Sequence, residues 1–349
     1  MNHHEILRQL PSALLPWYGQ VKRDLPWRQD RDPYHIWISE IMLQQTRVEA
    51  VKGYYARFLQ ALPTVEDLAN ADDDHLHKLW EGLGYYSRVR NLKKAARKIM
   101  TDHNGRFPED YAQVRALPGI GPYTAGAVCS IAFGMKTPAV DGNVLRLVSR
   151  LTDDPTPIDL PAYKKQVEAA LAAVYPERAG DFTQALMELG ATLCGPNREP
   201  QCESCPCRGF CQGYKNGTCR ELPVKLPKKQ RRAEEMTVFI LRNEGKIALQ
   251  KRPNQGLLAG LWQFPNVAGK LDAPAAVAKL EETGIKTKQI IAQVEREHVF
   301  THVHWYMRGI YLEVAGEGEN LTWLTPEEIT LQAALPTAFR QFFREVHHV

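Results

Sequence analysis

Hydrophobic period changes once along this chain, and that change demands two domains of different class. From Pro33 to about residue 211, apolar side chains recur at steps of three and four, as in IWISEIMLQQTRVEAVKGYYARFLQAL, TAGAVCSIAFG, VLRLVSRL and FTQALMELGATL. Such spacing predicts helices and few strands. After residue 235, MTVFILRNEGKIALQKR reads as a β-hairpin and HVFTHVHWYMRGIYLEV as a pair of strands. Between them QGYKNGTCRELPVKLPKKQRRAEE holds two prolines, seven Lys or Arg and little periodicity. It reads as a basic linker whose charge is open to a polyanion or simply to solvent. The 349 residues suffice for two cores. The expectation is a mainly α region over 1–211, a linker over 212–235 and an α+β domain over 236–349.

Five of the seven cysteines fall between Cys194 and Cys211. A disulfide framework in a long exported chain would scatter them, so a metal site in a reducing compartment fits better. Cys194, Cys202, Cys205 and Cys211 follow C-x7-C-x2-C-x5-C, with Cys207 an unassigned fifth. Spacing alone leaves zinc and an iron–sulfur cluster both open. The N-terminal MNHHEILRQLPSALLPWYG has no basic start leading into a sustained apolar stretch, and no apolar run approaches the roughly 18 residues of a membrane span. A cytoplasmic protein is expected. With 44 Lys+Arg against 40 Asp+Glu, the net charge of +4 does not by itself announce a nucleic-acid binder.

Gly119 and Gly121 in LPGIGPYTAG allow a tight turn, and Pro122 suits a first helical position. Bare N–H groups at such a helix start suit a phosphate. Glu40 lies in WISEIMLQQ, where apolar neighbours would desolvate its carboxyl and hold a proton on it. Asp141 lies in AVDGNVLRLV, where a helix begins, and a capping role there would favour its anion. Cleavage of a glycosidic bond needs this combination: a proton for the leaving group and negative charge beside the developing oxocarbenium ion. Taken singly, each residue has a plainer reading: surface charge for Glu40, a helix cap for Asp141, packing for Tyr123.

Taken in order, LPGIGPYTAGAV, then VDGNV some twenty residues on, then the four-cysteine loop, the chain resembles the helix-hairpin-helix superfamily of DNA glycosylases. SEIMLQQT and GLGYYSRVRNL are similar to its adenine DNA glycosylase family, MutY, and the C-terminal domain is similar to that family's MutT-like, or Nudix-like, module. The resemblance covers nearly the whole chain. It implies a monofunctional enzyme of base excision repair that flips adenine out of double-stranded DNA where it faces 8-oxoguanine or guanine, hydrolyses the N-glycosidic bond and leaves an abasic site. Glu40 would protonate adenine at N7 and help to activate water, Asp141 would stabilise the cationic sugar, and Asn143 and Tyr123 would support water and transition state. Tyr123 stands where bifunctional relatives resembling endonuclease III carry a Schiff-base lysine, so little or no lyase chemistry is implied.

The same resemblance assigns Trp27, Arg28, Leu43 and Glu188 to an adenine pocket. It assigns Gln44, Gln45, Thr46, Arg47, Tyr85, Gly119 and Gly121 to DNA, the first three expected one turn beyond Glu40 on the same helix. It implies a [4Fe-4S] cluster on Cys194, Cys202, Cys205 and Cys211. The first cysteine gap is one residue longer than the family's usual one; GPNREPQ must absorb the excess, and Cys207 is a reserve ligand.

In the C-terminal domain GLLAGLWQFPN is similar to the Nudix fold, but in VAKLEETGI Val277 and Ala278 replace the Arg-Glu pair of the metal box and only Glu281 and Glu282 remain. Metal-dependent hydrolysis is therefore not expected. The family resemblance implies a reader of 8-oxoguanine, with Phe300, Thr301 and His302 as its contact and threonine where serine is common; alternating strand positions are the plainer reading. The alternatives are an endonuclease III-like glycosylase-lyase and a non-catalytic iron–sulfur DNA-binding module, which would have no need of Glu40 and Asp141. The enzyme is expected to be monomeric on DNA and associated with a bacterial nucleoid.

Overall fold

The computed structural model describes residues 2–196, 198–227 and 230–346. Asn197 of the GPNREPQ loop and Lys228 and Lys229 of the expected linker lie outside the described residues. Helices α1 (His3–Arg8), α2 (Leu10–Val21), α3 (Pro33–Leu43), α4 (Val48–Ala61), α5 (Val65–Asn70), α6 (Asp73–Leu79), α7 (Ser87–Asp102), α8 (Tyr111–Arg115), α9 (Pro122–Phe133), α10 (Gly142–Thr152), α11 (Pro161–Ala172), α12 (Ala179–Ala191) and α13 (Gln212–Asn216) come first. Strands β1 (Arg232–Asn243), β2 (Lys246–Lys251), β3 (Trp262–Gln263), β4 (Asn266–Ala268), β5 (Lys286–Val299), β6 (Val303–Ala315) and β7 (Thr322–Leu324) follow, with α14 (Ala273–Glu281), α15 (Pro326–Gln332) and α16 (Thr337–Phe343).

The compact units are not the linear halves expected. One comprises residues 1–70 with 91–227; the other joins 71–90 to 228–349. Within the second unit, Arg90 donates to the carbonyl of Ala259 at 2.7 Å, Asp74 pairs with Lys251 at 2.7 Å, and the Leu335 N–H reaches Glu81 at 2.9 Å. Neither end of the expected linker is free. α13 closes on the last turn of α10, where a Cβ added at Gly213 would stand 2.5 Å from the Arg150 carbonyl, and the sheet begins already at Arg232.

In the first unit α10 is the central helix, buried without a break from Val144 to Thr152. Its apolar side chains Val144 and Val148 share one core with Phe182 and Leu186 of α12, against which Leu10 and Leu14 of α2 also pack. Asp32 caps α3 on the N–H of Tyr34 with Pro33 at the first position, and α3 is buried from Ile36 to Met42. A helix enclosed on all sides can carry a carboxyl into the interior.

The second unit is a mixed sheet in the order β3-β2-β1-β6-β5, with β4 on β1 and β7 on β2. β1 and β6 run parallel and the other pairs antiparallel. Alternate β1 side chains serve two cores: Met236, Val238 and Ile240 face Phe339 and Phe342 of α16, while Phe239 and Leu241 face Ala276 and Leu280 of α14. Burial on both faces explains the unbroken apolar run in MTVFIL.

Candidate active site

One cavity of about 730 Å3 opens in the first unit, and α3, α9, α10 and α12 supply its walls. That volume suits a nucleoside-sized ligand. Glu40 is 5% exposed, and burial pushes its carboxyl up to about 7. The Tyr123 hydroxyl donates to Glu40 Oε2 at 2.7 Å and draws it back down, while the charge of Asp141 raises it again. The Tyr123 phenol is itself held well above its ordinary range, by burial first and then by the two carboxylates, so it stays a donor.

Asp141 is the N-cap of α10. One carboxylate oxygen accepts the N–H groups of Asn143 and Val144, both at 2.9 Å, and the other accepts the Asn143 amide at 2.6 Å. Three donors thus converge on this carboxylate at the positive end of the helix. Asn143 is fixed in turn by Arg146 Nη2, which donates to its Oδ1 at 2.9 Å. Two carboxyl groups thus line the same cavity, one raised to about 7 by burial and one held in place by three hydrogen bonds.

Trp27, Arg28 and Leu43, assigned to an adenine pocket, line this cavity together with Gln44, Gln45, Thr46, Arg47 and Asn143. Glu188 does not. It is 1% exposed, and it binds Arg23 at 2.5 Å and Arg28 at 2.7 Å. Burial works to raise its carboxyl, but the two guanidinium partners prevail and hold it below the ordinary range. The carboxylate therefore anchors the arginines that face the cavity. A second correction concerns Gln44, Gln45 and Thr46: α3 ends at Leu43, Gln44 is its C-cap, and Gln45 has φ +58. They stand in a turn beyond the helix.

Gly119 has φ +76, and a Cβ there would fall 2.6 Å from Asn91 Cβ, so only glycine fits. Gly121 is the N-cap of α9, with Pro122 behind it and no side-chain cap over the first N–H groups. In the second unit, Phe300, Thr301 and His302 form the turn between β5 and β6 rather than strand positions, closed by the Phe300 N–H on the Val303 carbonyl at 2.8 Å. Phe300 packs edge-on between His298 and Trp305. Thr301 Oγ1 lies 3.0 Å from the hydroxyl of Tyr85, an exposed residue with φ +46 in the 71–90 segment.

Cys194, Cys202, Cys205 and Cys211 line one cleft. Arg150, buried on α10, directs Nη1 at Cys194 Sγ (3.3 Å) and at the carbonyls of Cys194 and Gly195. A buried cation beside a ring of thiols complements thiolate ligands, so the donor set fits an iron–sulfur cluster. Sequence reasoning missed Arg23, Arg146, Arg150 and Lys164, the last a cavity-lining amine on α11. For Arg146 and Arg150 the signal was present: two arginines inside the apolar run VLRLVSRL.

Residues 38–176 match the profile of the HhH-GPD superfamily of base excision DNA repair proteins, and residues 237–345 that of the NUDIX domain. The chain is 36% identical to the adenine DNA glycosylase of Rattus norvegicus over 95% of its own length and 76% of the relative's. It is 38% identical to that of Arabidopsis thaliana (88% and 57%) and 33% identical to that of Buchnera aphidicola subsp. Baizongia pistaciae (86% and 85%). Among solved structures, a thermostable thymine-DNA glycosylase is 32% identical with a TM-score of 0.56, covering 61% of this chain and 98% of that one. Endonuclease III trapped as a covalent intermediate with DNA, 24% identical, shares the fold at a TM-score of 0.52 over 62% of this chain and 99% of that one. The chain belongs to the adenine DNA glycosylase family, MutY, within the helix-hairpin-helix superfamily of base excision repair proteins.

Proposed function

We propose that this protein removes adenine paired with 8-oxoguanine or guanine in double-stranded DNA by hydrolysing its N-glycosidic bond, leaving an abasic site. The observation that carries this reading is the pairing of a carboxyl raised to about 7 with a hydrogen-bonded carboxylate in one nucleoside-sized cavity. Adenine enters the cavity flipped from the duplex, beside Trp27 and Arg28. Glu40 delivers its proton to N7 as the bond to the sugar stretches. Asp141 faces the positive charge that develops on the sugar, and Asn143 holds the aspartate in place. After bond cleavage Glu40 is a carboxylate able to take a proton from the attacking water. Tyr123 has no amine with which to form an imine, so the strand stays intact.

The turn at Gln44–Arg47 and the α9 N-terminus hold the duplex, and Phe300, Thr301 and His302 together with Tyr85 read the base opposite adenine. Cys194, Cys202, Cys205 and Cys211 would hold a [4Fe-4S] cluster, which when bound supplies a rigid, DNA-facing loop rather than a reactant. The four thiols line one cleft beside the buried Arg150 guanidinium, a donor set suited to such a cluster. The enzyme acts as a monomer on DNA in the cytoplasm of a bacterium. Among the described residues no helix is long and apolar enough to cross a membrane.

The test is a single-turnover assay on a duplex with one A opposite 8-oxoguanine, read with and without hot alkali, beside a thymine-glycol duplex. Strand breaks only after alkali, and only at A, are expected. Breaks at thymine glycol without alkali would favour the glycosylase-lyase; binding without any cleavage would favour a non-catalytic module.

A further inference from the structure

The cleft between the cluster cysteines has a fifth thiol on its wall, and it is not the one the spacing suggests. Cys207, the cysteine inside the C-x5-C gap, is fully buried and does not line the cleft. Cys219, beyond α13, lines the cleft with the other four. On that wall it lies beside the thiols of Cys202 and Cys211. Cys219 is held there by its surroundings: Thr218 bonds to Asp153 and to the carbonyl of Gly213, and the Arg150 guanidinium binds the Leu222 carbonyl at 2.9 Å. The chain on either side of Cys219 is thus tied to the C-terminal end of α10, as is the cluster loop through Arg150.

Cys202 is the neighbour most easily replaced. It follows the loop with the extra residue, begins a three-residue turn, Cys202–Ser204, and is only half-buried, as is Cys219; Cys194 and Cys211 are buried. Cys211 is also the N-cap of α13, which ties its backbone to the fold.

We propose that Cys219 is a reserve ligand of the iron–sulfur cluster, able to take the iron site of Cys202 when that thiolate is lost, its thiol giving its proton to solvent as the sulfur–iron bond forms. The inference rests on the cluster reading above.

The experiment compares purified full-length wild type with Cys202→Ala, Cys219→Ala, Cys202→Ala/Cys219→Ala and Cys202→Ala/Cys207→Ala, measuring iron and acid-labile sulfide per chain and the visible charge-transfer absorbance. Wild type, both single variants and the Cys207 double variant are expected to keep most of their iron; the Cys219 double variant should lose it to the apoprotein background. Should that variant not fold, thiol alkylation of Cys202→Ala decides. Cys219 should then resist the reagent until the iron is chelated, whereas in wild type it reacts with the cluster in place. Iron in wild type but lost from Cys202→Ala, or retained equally by all variants, would overturn the reserve role alone. Zinc in place of iron in wild type would overturn the cluster reading and the reserve ligand with it.

Discussion

Asp141 has two jobs that one substitution separates. Its carboxylate caps α10 through the N–H groups of Asn143 and Val144, and asparagine caps a helix about equally well. Asp141→Asn should therefore keep the cap and lesion binding while single-turnover excision falls by about 10²-fold or more, since the charge and the acceptor for the Asn143 amide are gone. Normal turnover would leave Asp141 a cap and nothing else. Glu40 sets the pH dependence. Its carboxyl ordinarily titrates near 4.5 but is raised to about 7, so the acid survives through pH 6 and is lost as pH rises through 7. Excision should then fall by about tenfold per unit above that point. Tyr123→Phe removes the hydrogen bond that favours the carboxylate, so the descending limb should move to higher pH; a move to lower pH would rule Glu40 out as the acid. The enclosure of Glu40 was legible because WISEIML offers no polar face. Its pairing with Tyr123 was not, since 83 residues separate them. Nor does sequence tell which carboxylate faces the cavity: only packing puts Glu188 behind Arg28.

α9 and α10 convert this residue chemistry into geometry. α9 carries Tyr123, and the extended stretch before α10 delivers Asp141; the two are locked together at Gly126, where an added Cβ would lie 2.0 Å from the Pro138 carbonyl oxygen. Thr137 reinforces the contact by donating to the Gly126 carbonyl at 3.2 Å. Backbone on both sides of that contact has no rotamer with which to yield. Gly126→Ala should cost about 1–3 kcal/mol in urea unfolding and should depress excision further by displacing Asp141 from Tyr123; an unchanged unfolding midpoint would mean that the two segments separate freely. The helices themselves were legible, because three- and four-residue apolar steps mark a buried stripe whatever it packs on. The buried arginines of α10 were not. Charges four apart on a helix ordinarily face water, and here they are turned inward, where the carbonyls of Gly190, Cys194 and Leu222 accept from them. The end of α3 also escaped the periodic pattern, since Gln44 and Gln45 are good helix formers, yet the chain leaves the helix at Gln44, with ψ 111, and turns left-handed at Gln45.

At the scale of the whole chain, the second unit is assembled from two stretches far apart in sequence, and this was the least legible feature. Hydrophobic patterning separates helix from strand, but it cannot say that 71–90 folds with the sheet, because that depends on hydrogen bonds to residues 251, 259 and 335. The parallel pairing of β1 with β6 was hidden for the same reason: hairpins announce themselves by their turns, whereas β1 and β6 are joined only by register. One consequence is that Tyr85, placed in the catalytic region by sequence, meets the turn at Thr301, 216 residues on. Removing residues 236–349 should impair discrimination of 8-oxoguanine more than excision itself, but it also strips 71–90 of its partners, so a gentler test is better. Thr301→Val keeps the shape and removes the hydroxyl; Tyr85→Phe removes the other end of the same bond. If the two side chains read the lesion as one unit, each substitution should lower the preference for A opposite 8-oxoguanine over A opposite guanine by about 2- to 10-fold, the worth of one hydrogen bond. The double variant should then lose no more than either single one, because the first change already breaks the bond. Fully additive losses would mean that Tyr85 and Thr301 meet the DNA separately and that their contact in the free protein plays no part in the reading.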